Sequence, residues 1–211
     1  MSEEKTTAGE AAVKETIQEI LVKNTVHIGS KIKVRHMEKF IFRLRADGVY
    51  LIDINKTVER LNVAARFISF FQPEKVVVVS THVYGAKPVQ KFCELTGCIP
   101  ITERFEPGSF TNPQLETYME PELILVSDPR YDRQAVIEAR IARIPVIAMC
   151  STDNTFNDID LVIPMNNRGR LALPYAFWYL AQRVLVERGV LTEELASNIK
   201  PDDFLAVQPG E

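Results

Sequence analysis

The stretch Arg104-Phe105-Glu106-Pro107-Gly108-Ser109-Phe110-Thr111-Asn112 puts a guanidinium, two aromatic rings, a Pro-Gly turn and three hydrogen-bonding side chains in one short span. It follows the apolar run Ile99-Pro100-Ile101, and its two phenylalanines read as exposed. An arginine fork donates several N–H bonds to one phosphate or carboxylate. Ser109, Thr111 and Asn112 can add bonds to phosphate or sugar oxygens. The loop pairs no nucleophile with a base and carries no phosphate-loop lysine. It is suited to docking on a polar partner.

A second cationic stretch lies upstream. Residues 23–45 hold Lys23, Lys31, Lys33, Arg35, Lys39, Arg43 and Arg45 against Glu38 alone, a local charge of +6 in a chain whose formal net charge is −3. The acid is at the ends. Residues 1–22 carry five Glu and two Lys, and residues 190–211 carry three Glu, two Asp and one Lys, which leaves the middle at +4. A basic segment between acidic tails is the electrostatic footprint of a local phosphate contact. Within it, charged and apolar residues alternate from His27 to Arg45, punctuated by Gly29 and Gly48. That pattern fits an edge ribbon whose cations track a sugar-phosphate backbone, and equally an amphipathic edge whose lysines are merely wet. Phe40 and Phe42 either stack on bases or pack inward, the commoner fate of aromatics.

Further polar groups fall after apolar runs: Asp53-Ile54-Asn55-Lys56-Thr57, Ser80-Thr81-His82, Ser127-Asp128-Pro129-Arg130, Ser151-Thr152-Asp153-Asn154, and Asn166-Asn167-Arg168-Gly169-Arg170. The last reads as the cap of the following helix, with Arg168 and Arg170 as rim cations. A nucleotide- or flavin-binding enzyme is the alternative these groups raise. Neither Gly-x-Gly-x-x-Gly nor Gly-x-x-x-x-Gly-Lys occurs, although a phosphate cradle of that kind needs glycines entering a helix. Asp158 and Asp160 suit turn or capping roles better than metal ligation. His27, His36 and His82 show no metal-binding spacing, and Cys93 and Cys98 lack the second pair a zinc site needs. Cys150 ends an apolar run and reads as a small buried hydrophobe. No cofactor and no metal are expected.

These groups need a scaffold, and the hydrophobic pattern supplies one. Strands are predicted at Val49–Asp53, Val76–Ser80, Ile99–Glu103, Leu123–Asp128, Val146–Ser151 and Leu161–Pro164. Several are continuous Val/Ile/Leu runs, the pattern of strands covered on both faces. Helices are predicted at Asn55–Phe71 with Asp53 or Asn55 as cap, at Val83–Thr96 ending at Gly97, at Tyr131–Arg143 stopping before Pro145, and at Pro174–Arg188. Strands separated by helices imply an α/β fold: a doubly wound, mainly parallel sheet with helices on both faces. The 211 residues, 46% hydrophobic and 25% charged, suffice for one sizeable core. The expected division is an acidic N-terminal helix or tail (1–22), an α/β RNA-binding domain (23–190) and an acidic C-terminal tail (191–211). No apolar run spans a bilayer, the start Met1-Ser2-Glu3-Glu4 is not that of a secretory signal, and three unframed cysteines fit a reducing, cytoplasmic setting.

The chain resembles small-subunit ribosomal protein two, the family that includes the laminin-receptor-precursor protein (ribosomal protein SA). The resemblance covers about residues 20–190. It rests on His27-Ile28-Gly29, Ile52-Asp53-x-x-Lys56-Thr57, the Arg104–Asn112 loop, Asp128-Pro129-Arg130, Glu138-Ala139, Ile144-Pro145, Thr152-Asp153, Asp160 and Ile163-Pro164-x-Asn166-Asn167, all in order. It implies a flavodoxin-like domain and a non-catalytic structural role in the small ribosomal subunit, touching ribosomal RNA and neighbouring ribosomal proteins, with no membrane and no small-molecule substrate. Only ten residues separate Asn112 from Leu123, where bacterial members carry a long helical hairpin. The chain also stops at Glu211, where eukaryotic members continue in a long acidic extension. Both differences point to the archaeal type.

The expected RNA-binding residues are Lys31, Lys33, Arg35, Arg43, Arg45, Arg104, Ser109, Thr111, Asn112, Arg130, Arg168 and Arg170. RNA repels the acidic termini, which are assigned to protein contacts or solvent. A module that meets an acidic protein through the same cations stands beside the enzyme as a third reading.

Overall fold

The computed structural model describes residues 17–196 and 198–205; most of the expected N-terminal helix and the last six residues lie outside them. Five strands form one parallel sheet: β3 (Val76–Val79), β4 (Ile99–Ile101), β5 (Leu123–Val126), β6 (Val146–Cys150) and β7 (Leu161–Pro164), in the order β4-β3-β5-β6-β7. Counted within this sheet, the order is 2-1-3-4-5, that of a flavodoxin-like doubly wound fold. Besides the helical residues 17–23, four helices frame it among the described residues: α1 (Ile54–Ser69), α2 (Val83–Thr96), α3 (Arg133–Ala142) and α4 (Ala172–Glu187). A single turn, α5 (Glu193–Ala196), follows.

The strand predicted at Val49–Asp53 forms, as β2 (Tyr50–Ile52), but outside the sheet. It pairs antiparallel with β1 (Ile41–Leu44) as a separate ribbon. The reason is the connection: five residues between β1 and β2 allow a hairpin, whereas a parallel partner needs a crossover of a dozen or more.

The two faces of the sheet are covered unequally. Side chains alternate along a strand, so Val76 and Val78 join one core while Val77 and Val79 join the other. The first core takes α1, α2 and α4, through residues such as Leu61, Phe92 and Phe177. It also takes Leu21 from the helical residues 17–23, and Phe204 from near the chain end. Among the described residues the second core has only α3, through Ala135, Val136 and Ala139. Met37, Phe40, Phe105 and Phe110 cover the rest of that face. Burying a large side chain contributes roughly 1.5–3 kcal/mol, so both basic segments are fastened to the sheet by apolar pegs.

Local signals explain the helix ends. The Asp53 carboxylate accepts the Asn55 N–H at 3.0 Å and caps α1. His82 Nδ1 accepts the Tyr84 N–H at 3.2 Å at the start of α2. Gly97 closes α2, and α3 ends at Arg143, two residues before Pro145. Asn166 and Asn167 do not cap α4, whose N-cap is Leu171 without a side-chain bond. Asn166 Oδ1 instead accepts the N–H groups of Arg168 (3.2 Å) and Gly169 (3.0 Å), a turn placed ahead of the helix.

Candidate nucleic-acid interface

The Arg104 loop is built inward and outward at once. Phe105 and Phe110 are buried, not exposed as their setting in a polar loop suggests, and their rings meet edge-on at 5.0 Å. They turn in because, among the described residues, one helix covers the sheet face beneath them and leaves part of it open. Ser109 is buried too, its hydroxyl donating to the Glu106 carbonyl at 2.7 Å, so it holds the loop's shape and presents nothing to a ligand. The turn needs Gly108: its φ is +101°, and a β-carbon there would lie 2.6 Å from Leu115 Cδ1. Arg104, Thr111 and Asn112 remain exposed.

Glu138 holds this loop, although sequence reasoning gave it no role in the site. The side chain, buried on α3, accepts the Gly108 N–H at 2.8 Å and the Phe110 N–H at 3.2 Å, while Gln134 donates to it at 2.8 Å. A lone Glu in an amphipathic helix gives no sign of such a partner 28 or 30 residues away. Residues 108–119 fold back on themselves, with the Met119 N–H donating to the Ser109 carbonyl at 2.9 Å. No helical hairpin stands there.

The basic tract is only partly a ribbon. Arg35–Phe40 forms a 3₁₀ turn, whose three-residue period sets Met37 and Phe40 on one inward side. Arg35, His36 and Lys39 stay outside. Phe42 is 68% exposed, so of the two phenylalanines Phe40 packs inward and Phe42 does not. The tract is stitched to the domain by the Ser30 N–H to Thr152 Oγ1 (2.8 Å), the Val34 N–H to the Thr152 carbonyl (2.9 Å) and the Lys56 ammonium to the Lys39 carbonyl. Lys31, Lys33, Arg35, Arg43 and Arg45 are all exposed. Lys33 pairs with Glu38 at 2.8 Å, a bond that raises the lysine and lowers the glutamate from their ordinary values. Arg45 pairs with Asp47 at 3.2 Å. Exposed pairs of this kind give way readily to a stronger anion.

Arg168 is different, and the expectation that it serves as a rim cation needs correction. Its Nε donates to Asp128 at 3.1 Å and its Nη1 to Asp153 at 2.9 Å. Asp128 is wholly buried and Asp153 is 8% exposed. Asp128 also accepts the Asn154 amide at 3.0 Å, and Asn154 accepts the Ser151 N–H at 2.7 Å. Burial by itself lowers the Arg168 guanidinium, but bonds to Asp153 and Asp128 outweigh it and hold the group above its usual value. Arg168 is consumed in neutralising two carboxylates at the ends of β5 and β6. Arg130 sits at the edge of this node, 70% exposed and 3.5 Å from Asp153. Arg170 is exposed on the next turn.

The remaining strand ends bear on the enzyme reading. In this fold a small ligand would enter where the strand order reverses, between β3 and β5. There Ser127 Oγ donates to Ser80 Oγ at 2.7 Å, and Thr81 Oγ1 donates to buried Asp132 at 2.7 Å. Burial pushes the Asp132 carboxyl up, partly offset by the Thr81 bonds. Gly85 approaches so closely that a β-carbon on it would fall 2.0 Å from Ser80 Oγ. Ser80, Ser127 and Thr81 are thus bonded within the protein at this point. Cys93 and Cys150 are buried thiols pushed up by burial, which leaves them protonated and poor nucleophiles.

What remains is a rigid α/β block with exposed cations on a ribbon and on loops fastened to one sheet face. Comparison with known proteins assigns it. The family model of ribosomal protein S2 matches residues 21–119 and 115–184. The chain belongs to the ribosomal protein S2 family. It is 47% identical over 198 residues to small ribosomal subunit protein uS2 of Aeropyrum pernix, covering 93% of this chain and 97% of that protein. It is 50% identical over 181 residues to uS2 of Thermofilum pendens, covering 86% and 85% of the two chains, and 46% identical over 186 residues to uS2 of Staphylothermus marinus, covering 88% and 81%. These relatives are archaeal, in keeping with the short span between Asn112 and Leu123. Among the described residues no helix is long and apolar enough to cross a membrane.

Proposed function

We propose that this S2-family protein is a structural constituent of the small ribosomal subunit, working in the cytoplasm, and that it holds ribosomal RNA on the cations of its ribbon and loops. The observation that carries this is the separation of labour between two sets of charged groups. Asp128 and Asp153 are paired within the fold with Arg168, while Lys31, Arg35, Arg43, Arg104 and Arg130 are exposed, and buried aromatics pin the 3₁₀ turn and the Arg104 loop. Such a surface binds a polyanion at little conformational cost, because the scaffold is ordered beforehand. Thr111 and Asn112 add uncharged donors and acceptors for phosphate or sugar. Relatives named as ribosomal proteins argue against the enzyme.

Neutralising several phosphates makes binding steeply salt-dependent, with a slope of about 0.7–0.9 per contact on logarithmic axes. The direct test is assembly. The variant Arg104→Ala/Arg170→Ala is expected to co-sediment with small subunits at reduced occupancy while remaining folded. Full incorporation of that variant would move the footprint off the loop and the α4 turn. A parent chain that failed to co-sediment at all would defeat the ribosomal reading itself.

A further inference from the structure

An open hollow lies beside the groups considered so far. It is an open trough of about 990 Å³ between α3 and the 153–158 loop, and its lining includes Arg130, Arg133, Ile137, Arg140 and Asp158. Arg133 and Arg140 stand seven residues apart on α3, two turns and about 10.5 Å of axis, and therefore on one face. Arg133 makes no ion pair among the described residues, and Arg140 reaches Asp158 only at 3.4 Å with 67% of its side chain exposed. The Asp153 contact to Arg130 is equally long. These pairs are weak enough to yield to a phosphate. Across the same loop is a second hollow, of about 550 Å³, lined by Arg35, His36, Glu38, Lys39 and Phe156. His36 stacks on Phe156 with ring centroids 5.6 Å apart and planes 30° from parallel, yet remains exposed. Phe156 is held from behind by Phe40 at 6.3 Å. A cationic track beside a supported aromatic pair is the arrangement that holds an unpaired nucleic-acid strand.

We propose that the α3 trough and the His36–Phe156 hollow together form a site for a single-stranded or irregular RNA segment. Successive phosphates lie on Arg130, Arg133 and Arg140, and the strand crosses the 153–158 loop to stack one unpaired base on His36. This rests on the RNA-binding reading above and extends it to residues on α3 that the sequence motifs do not mark. An acidic polypeptide could meet the same arginines, but it offers a flat ring only where an aromatic residue falls, whereas every nucleotide of RNA sets a stackable base beside a phosphate, and that favours RNA.

Binding of a mixed-sequence single-stranded RNA dodecamer to the full chain, measured from low to moderate salt, tests the site. Arg133→Ala/Arg140→Ala should weaken binding and flatten the logarithmic salt slope by about 1.4, at roughly 0.7 per phosphate on a single strand. His36→Ala should weaken binding about 5- to 150-fold, the range for one lost stack of roughly 1–3 kcal/mol, and leave the slope unchanged. Both variants change exposed side chains, and unaltered melting temperatures will confirm that they fold. Affinity unchanged in both would overturn the proposal. So would loss of a poly-glutamate peptide, but not of RNA, from the arginine variant, which would make the trough a protein site. If these variants bind RNA normally while Arg104→Ala/Arg170→Ala still fails to enter subunits, only the trough is refuted. If the parent chain binds neither RNA nor subunits, the broader reading falls with it.

Discussion

Arg168 and Arg104 carry the same guanidinium into opposite surroundings. Arg168 lies at the ends of β5 and β6, two-thirds covered, bonded to a fully buried aspartate and a nearly buried one. Arg104 stands exposed on a loop whose neighbours, Phe105 and Phe110, are locked under it. In the strand-end node charge is internal, and it fixes the relative positions of three loops. Around the ribbon and the Arg104 loop the hydrophobic core does the fixing, which leaves charge available to a partner. Cationic residues near a binding rim are therefore of two kinds, and burial of the partner carboxylates separates them.

Removing the node's cation should have the largest effect on stability. Arg168→Ala leaves Asp128 with only the Asn154 amide and the Arg130 N–H, and Asp153 with only the long Arg130 contact, a loss of about 3 kcal/mol at the lower end of the range for broken buried pairs. At about 2–4 °C per kcal/mol for a chain of this size, thermal denaturation should fall by about 6–12 °C. A drop of under 2 °C would return Arg168 to the exposed class.

Glu138→Ala comes next. It orphans the N–H groups of Gly108 and Phe110, at about 1–3 kcal/mol for an unsatisfied buried donor. Hydrogen exchange of residues 105–112 should accelerate well before global unfolding does. Uniform protection in the variant would show that the aromatic pegs alone hold the loop.

Neutralising the ribbon should reverse the pattern. Replacing Lys31, Lys33, Arg35, Arg43 and Arg45 together with Gln is expected to leave stability nearly unchanged in thermal denaturation, since exposed pairs contribute little. The same change should flatten the salt dependence of RNA binding by several phosphate equivalents. A large stability loss with an unchanged salt slope would erase the contrast between ribbon and node.

The smallest effect concerns His27. Burial, helped by the charge of Arg45, lowers its pKa below the ordinary 6.5. The folded state thus prefers the neutral ring and binds fewer protons than the unfolded chain as pH falls through about 6.5, so stability is present above that pH and declines below it. His27→Gln should shallow the decline between about pH 6.5 and 5. An identical pH profile in the variant would show that other groups set it.

The sheet was legible because its strands, Val76–Val79, Leu123–Val126 and Val146–Cys150, are unbroken apolar runs separated by helix-length intervals. The strand at 50–52 was legible as a strand, and its partner was hidden in the Phe42–Leu44 alternation. Within the candidate interface, exposure of the ribbon cations and of Arg104 followed from their type. Burial of Phe105, Phe110 and Ser109 did not. Nothing local reveals that, among the described residues, one helix alone covers the second sheet face and leaves room for two rings. Arg168 was misjudged for a related reason: its partners lie 40 and 15 residues away, and only the meeting of strand ends makes them neighbours. Arg133 and Arg140 carry no motif, and only the trough between α3 and the 153–158 loop brings them together with Arg130.

Sequence by itself determined the element types, the doubly wound class, the family and the uneven spread of charge, because each depends on local pattern or on order along the chain. Tertiary structure alone decided which cations are spent inside and which face outward. A charge's environment is set by whatever the fold packs against it, and those groups arrive from distant parts of the chain.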